Sequence, residues 1–539
     1  MTVRIWQWPT RVVLLLAMGL AVLTLQATNA RADYALLEGD GSTWSQGIVN
    51  QWIADAKPMG MQVVYSGIGS SGGRKSFANF QDDFAISEIP YQGVDPITKE
   101  EDASNIRQYA YLPIVAGGTS FTYHVTQAGA LMRDVRLSGE TIAKIFTGQI
   151  TNWNDPAIAA DNNGRTFPDL TIRPVYRSDG SGTTAQFTTW LDKQYPAIWR
   201  TLWSQGGLTS NYPSFGKAIG ANGSDQVMNT IAADSGNGTI GYVEYSYALN
   251  KGYPVVKVLN AAGYYVEPTA YNVAVALTKA RIDMQDPSSL SYLTQILDDV
   301  YTNPDPRTYP LSSYSYMILP VGSVDRRMTT AKRQTLVDFM TYGLCTGQGQ
   351  AGPYGYSPLP LNLVQAGMTQ LAKIKAADPA VSIDNVDPTK CGNPTFVAGD
   401  LTRNHLAEIA PQPADCDKQG AGPCLGGATV VVGADGKPTT SGAPGQQAGA
   451  SKPGASAGAS AAAAAAGGGQ IDPETGQVLG SGSADGSTTA SGPVATTIAA
   501  RPAVGTTLFA GLTALELVGL MVVPGVLYAR TRRPEEDVQ

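Results

Sequence analysis

Short runs of β-branched and other apolar residues alternate with longer stretches whose apolar positions recur every three or four residues, from Asp33 to about Val397. The short runs predict strands at 62–65, 83–87, 111–116, 172–176, 239–243 and 315–319. The longer stretches predict helices at 47–56, 138–147, 184–195, 225–232 and 333–343. Strands taking turns with helices define an α/β fold. A body of about 360 residues exceeds one ordinary core, so two lobes are expected.

The pattern changes at both ends. Residues 1–32 read as a secretory signal peptide: Arg4 and Arg11 flank the start of an apolar run from Val12 to Leu25, and Ala30-Arg31-Ala32 forms a small-x-small cleavage site. An uncleaved N-terminal anchor is the competing reading. Residues 503–529 are apolar over a length that suits a hydrocarbon core of roughly 30 Å. Arg530, Arg532 and Arg533 follow at once, which predicts a single transmembrane helix and a cytoplasmic tail at 530–539. Glu516 in mid-span opposes this by about 2.5–3.5 kcal/mol on insertion scales. Between body and span, 426–500 is built of Gly, Ala, Ser, Thr and Pro, and predicts a disordered linker reaching on the order of 45 Å. The body is therefore expected on the extracellular face of the cytoplasmic membrane, anchored by its C-terminal helix.

Composition narrows the chemistry. Lys and Arg number 37 against 44 Asp and Glu, a net charge of -7 that argues against a nucleic-acid partner. Two His and four Cys leave little for a metal site, and neither a metal nor a cofactor is predicted. Cys345, Cys391, Cys416 and Cys424 close the body and run into a Cys-containing extension at 397–425. In an exported chain they read as disulfides, with three possible connectivities. Cys345–Cys391 with Cys416–Cys424 is favoured, the second bond closing a short loop, although sequence alone leaves the choice open.

What remains for function is hydroxyls, carboxylates, Arg and backbone amides. Three turns concentrate them: Gly41-Ser42-Thr43-Trp44, Gly69-Ser70-Ser71-Gly72-Gly73, and Ser178-Asp179-Gly180-Ser181-Gly182-Thr183-Thr184. Each precedes a helical pattern, where glycines admit close approach and orphan amides face outward, an arrangement that cradles anions. For any one turn alone, a plain N-cap is the simpler reading. Arg177 brings a planar fork suited to a tetrahedral oxyanion, with Asp179 placed to hold it, or the two form a surface ion pair. Asp83, at the start of a strand, reads on its own as a solvated end. Gly69–Gly73 also fits G-x-S-x-G, making Ser71 a candidate hydrolase nucleophile, but His124 and His405 are the only bases available and neither has an evident acid partner. The same segment is no phosphate loop of the nucleotide-binding kind, because Arg74 separates the last glycine from Lys75.

Taken in order, these turns resemble the periplasmic phosphate-binding family, the substrate-binding components of bacterial ABC importers. The resemblance rests on GIGSSGG at 67–73, ETIAKIFTGQITNWNDPAIAA at 140–160, RSDGSGTT at 177–184 and IGYVEYSYA at 240–248, and covers about Leu36 to Ala372. It implies a two-lobed periplasmic-binding-protein type II fold, with one lobe from 33–114 and 311–396 and the other from 115–310. It further implies a protein that binds inorganic phosphate, partners ABC permease subunits and is not an enzyme; a monomer is expected, with oligomeric state left open by the sequence. The phosphate-binding residues carried over are Thr43, Trp44, Ser70, Asp83, Arg177, Asp179, Ser181, Gly182 and Thr183, with Asp83 as the carboxylate that accepts the phosphate's own proton. The chain departs from the family pattern at Trp44, where Phe is usual, at Ser45, where Pro is usual, and at Ser87-Glu88-Ile89-Pro90, where S-D-x-P is usual. Its C-terminal span also differs from the N-terminal lipid of Gram-positive relatives. A secreted serine hydrolase or phosphatase, and a surface sensor or adhesin that keeps the fold, are the rival functions.

Overall fold

A computed structural model describes residues 34–94, 99, 101–388, 391–397 and 400–424, with the backbone alone of 429–432, 438–441, 470–471 and 478–479. The expected signal peptide, transmembrane helix and cytoplasmic tail lie outside the described residues. Among the described residues no helix is long and apolar enough to cross a membrane. Within 426–500, where composition predicts no regular structure, 429–432 pairs with 438–441 and 470–471 with 478–479 as two short hairpins. The first contains the β-branched run Thr429-Val430-Val431-Val432, which favours an extended backbone.

Eight strands form the central sheet: β1 (Leu37–Gly41), β2 (Val63–Gly67), β3 (Phe84–Ser87), β4 (Tyr109–His124), β5 (Arg173–Arg177), β6 (Ile219–Ala221), β7 (Thr239–Glu244) and β8 (Ser312–Pro320). Their order is β6-β5-β7-β4-β8-β3-β1-β2. The helices that bear on the site and its supports are α1 (Gln46–Ala56), α2 (Ser70–Ala78), α3 (Gly139–Phe146), α4 (Gly182–Gln194), α5 (Gly223–Ala232), α6 (Tyr245–Asn250), α7 (Ala270–Leu277), α8 (Thr330–Leu344) and α9 (Leu361–Ala377). All six predicted strands and all five predicted helices are present; β1, β6, α2, α6, α7 and α9 lie outside the predicted ranges.

β4 explains the two lobes. Its residues 109–118 pair antiparallel with β8, and its residues 119–124 pair antiparallel with β7. The parallel group β1, β2, β3 lies beyond β8, and the parallel group β5, β6, β7 begins at β7. β3 runs along β4 toward the junction, since Ser87 sits opposite Tyr316 and Ala85 opposite Ile318, farther out. β7 runs the opposite way, also toward the junction, and ends with Glu244 opposite Thr119. The C-terminal ends of both parallel groups therefore converge where the lobes meet, the edge at which α/β sheets place ligand-binding turns.

Beyond α9 the chain runs back over both lobes. Asn393 and Thr395 donate to the Leu359 carbonyl, and Leu406, Ala407 and Ala410 pack on Ala270, Tyr271, Ala274 and Val275 of α7. Farther on, the Arg136 guanidinium donates to the Cys416 carbonyl, and Lys257 pairs with Asp417 at 2.9 Å. Both favoured disulfides are formed: Cys345–Cys391 ties the start of this extension to the end of α8, and Cys416–Cys424 closes a short loop within it.

Candidate functional site

The turn after β1 carries Thr43 and Trp44. Ser42 Oγ accepts the Trp44 amide, and Tyr356 donates its hydroxyl to the Trp44 carbonyl at 2.7 Å, so the turn is fixed from both sides. Trp44 is fully buried, edge-on to Tyr356 at 5.8 Å. A Cβ on Gly117, in β4, would lie 2.7 Å from the Trp44 ring, so only glycine admits the indole there. The same Cβ would meet Glu244 Oε1 at 2.9 Å, and burial pushes the Glu244 carboxyl well above the usual carboxylate range.

The turn after β2 opens α2 with Ser70. Its hydroxyl donates to Glu88 Oε2 at 2.7 Å and accepts the Gly182 amide at 3.2 Å. Ser70 thus joins one lobe to the other. Glu88 follows β3 directly; it is 1 % exposed, and its Oε1 accepts Ser315 Oγ at 2.9 Å. A Cβ on Gly182 would stand 2.1 Å from Glu88 Oε2, so the carboxylate lies against the backbone that starts α4.

The turn after β5 supplies the cation. Arg177 is 2 % exposed, with Nε donating to Asp179 Oδ1 at 2.6 Å and Nη2 donating to Asp179 Oδ2. Burial alone would raise the Asp179 carboxyl, but Arg177 and the Gly223 amide more than offset it and hold it below the ordinary range. Gly69, at φ +89°, faces this pair: a Cβ there would lie 2.7 Å from Asp179 Oδ2. Ser181 Oγ caps α4 by accepting the Thr184 amide, as the simpler reading of this turn has it. Thr183 is buried in the first turn of the same helix.

The structure therefore brings together Thr43, Trp44, Ser70, Arg177, Asp179, Ser181, Gly182 and Thr183, but not Asp83. Asp83 lies before β3, at the end away from the junction. It is fully buried and bound to Lys332 at 2.6 Å, Arg327 at 3.0 Å and the Glu38 amide at 2.9 Å. The four strand residues Phe84 to Ser87 separate it from Glu88, about 16 Å of extended chain over five residue steps. A carboxylate saturated by two cations is a lock between β3 and α8, and the expectation that it accepts a ligand proton is corrected accordingly. Sequence reasoning passed over Glu88, which it noted only as a departure in S-D-x-P. It also missed Ser224, which follows β6 and meets Thr43 and Arg177. The signal available for both was position: each follows the C-terminal end of a parallel strand.

The hydrolase reading of Ser71 finds no base. Ser71 Oγ accepts Arg74 Nη2 at 3.2 Å, while His124 Nδ1 is bonded to the Ile231 carbonyl at 2.9 Å. Among the described residues no cluster of His, Cys, Asp and Glu is arranged to hold a metal ion.

A two-lobed fold with its polar turns gathered at the junction defines a solute-binding protein, and residues 26–344 match the family model described as the PBP superfamily domain. Over 333 residues the chain is 31% identical to the phosphate-binding protein PstS of Xylella fastidiosa, covering 61% of this chain and 83% of that one. It is 30% identical over 345 residues to phosphate-binding protein PstS of Pasteurella multocida, covering 64% of this chain and 92% of the relative. The crystal structure of a phosphate-binding protein from Stenotrophomonas maltophilia aligns with a TM-score of 0.43 at 18% identity, covering 62% of this chain and 92% of that one. The chain belongs to the periplasmic phosphate-binding protein family.

Proposed function

We propose that this chain is the extracytoplasmic receptor that captures inorganic phosphate between its lobes for an ABC-type importer. The observation that carries the reading is the Ser70 hydroxyl, which ties the Glu88 carboxylate of one lobe to the Gly182 amide of the other, next to the Arg177–Asp179 pair. With Arg177 largely neutralised by Asp179, an anion here is gripped mainly by hydroxyls and amides rather than by excess positive charge. Glu88 supplies selection. A protonated phosphate oxygen donates to it, whereas sulfate brings no proton and meets a buried acceptor with nothing to accept.

The two formed disulfides support an oxidising compartment outside the cytoplasm. The sequence of 1–32 and of 503–529 supports export followed by retention through one C-terminal helix, with the body joined to it by the 426–500 segment. Titration calorimetry with phosphate tests the binding reading. Wild type is expected to bind, and Arg177→Ala to lose at least about 100-fold in affinity, since it strands a buried Asp179 as well as removing a donor. An isotherm unchanged by Arg177→Ala contradicts the site.

A further inference from the structure

Resting on the phosphate reading, we infer that Ser224 is a positioning residue that turns the Thr43 hydroxyl into a dedicated donor toward the bound anion. Ser224 opens α5 in one lobe and Thr43 lies in the other. The Ser224 amide donates to Thr43 Oγ1 at 3.2 Å, and the two hydroxyl oxygens stand 2.9 Å apart. Ser224 is 1 % exposed and Thr43 is 4 % exposed, so the pair has little water to exchange with.

Hydrogen-bond accounting sets the direction. A hydroxyl has one proton to give and two lone pairs to receive. An amide only donates, so one Thr43 lone pair is taken by the Ser224 N–H. A guanidinium only donates, and Arg177 Nη1 approaches Ser224 Oγ at 3.4 Å. The hydroxyl pair then has two possible directions, and an anion in front of Thr43 selects between them. A proton given to a charged acceptor makes the stronger bond, so Thr43 donates to the anion and receives the Ser224 proton. Tyr247 completes the arrangement by donating its hydroxyl to the Thr43 carbonyl from the same lobe as Ser224.

Thr43 is therefore a committed donor only when the lobes are closed, because both groups that saturate it come from the far lobe. Closure and anion grip become one event: opening the lobes frees Thr43 to accept as readily as it donates. The role is separate from that of Glu88, which sorts anions by whether they carry a proton.

Stopped-flow and calorimetric measurements with inorganic phosphate test this on wild type, Ser224→Ala, Ser224→Thr, Thr43→Val and the double variant Ser224→Ala/Thr43→Val. Ser224→Ala is expected to speed phosphate release about tenfold with little change in the association rate. Ser224→Thr restores release to within about threefold, because it keeps the hydroxyl. The double variant binds no worse than Thr43→Val, since Ser224 acts through Thr43. The ratio of phosphate to sulfate affinity stays at the wild-type value in Ser224→Ala, which a general loosening of the site would not leave intact. Additive losses in the double variant, with wild type binding normally, overturn the inference alone. Failure of the wild type to bind phosphate overturns the phosphate reading and this inference with it.

Discussion

Asp40 and Asp82 show how much a single buried carboxyl can set the response to pH. Asp40 is 8 % exposed in β1, and burial together with a hydrogen bond to Asp82 and its nearby charge pushes its carboxyl well above the ordinary carboxylate range. Asp40 thus binds a proton in the fold that the unfolded chain releases above about pH 4, so folding stability falls as pH rises from there toward the raised value. Asp40→Asn keeps the shape and removes the titration. Its melting temperature should exceed that of wild type at about pH 8, with the advantage shrinking toward about pH 4.5. Asp179 has the opposite sign. Its depressed carboxyl contributes stability that is present above the unfolded pKa of about 4 and lost only as pH falls through the folded value. Thermal melts across that range separate the two effects, and a pH-independent difference between Asp40→Asn and wild type contradicts the first.

At the scale of elements, the extension after α9 depends on its crosslinks. Cys345–Cys391 closes a loop with a sequence separation of 46 and Cys416–Cys424 one of 8. Loop-closure entropy gives about 4 kcal/mol for the first and about 2.5 kcal/mol for the second. Urea unfolding of the paired Cys→Ser variants should follow that order; equal losses contradict it. The elements themselves were legible where one residue pattern dominated. β8 and β7 are runs of apolar and aromatic residues, and α4 shows Phe187, Trp190 and Leu191 on one face. β1 was not legible because LEGDG carries little apolar signal; it becomes a strand by lying between β2 and β3, a tertiary fact. The same limit explains Asp83 and Glu88. They bracket one short strand, and only the direction of that strand relative to the lobe junction decides which faces the site.

At the scale of the whole molecule, the fold places the candidate site residues other than Asp83 on turns leaving the C-terminal ends of parallel strands, from two parallel groups of one sheet that run toward each other along β4. Gly117 and Gly118 sit where β4 changes partner; one admits the Trp44 ring and the other approaches Pro268 and Tyr309 too closely for any side chain. The three polar turns and Arg177 could be read from sequence because their composition is unusual for a surface. Ser224 could not, since one partner, Thr43, lies 181 residues away in the other lobe and the second, Arg177, lies 47 residues away. Glu88, and not Asp83, is proposed to sort anions by the proton they carry. This is tested most directly by measuring phosphate and sulfate affinities for wild type, Glu88→Gln and Asp83→Asn by calorimetry. Glu88→Gln is expected to lower the phosphate-to-sulfate ratio at least about tenfold, because an amide can donate to an unprotonated oxygen, while Asp83→Asn lowers thermal stability and leaves the ratio where it was. A ratio held by Glu88→Gln and lost by Asp83→Asn would contradict it.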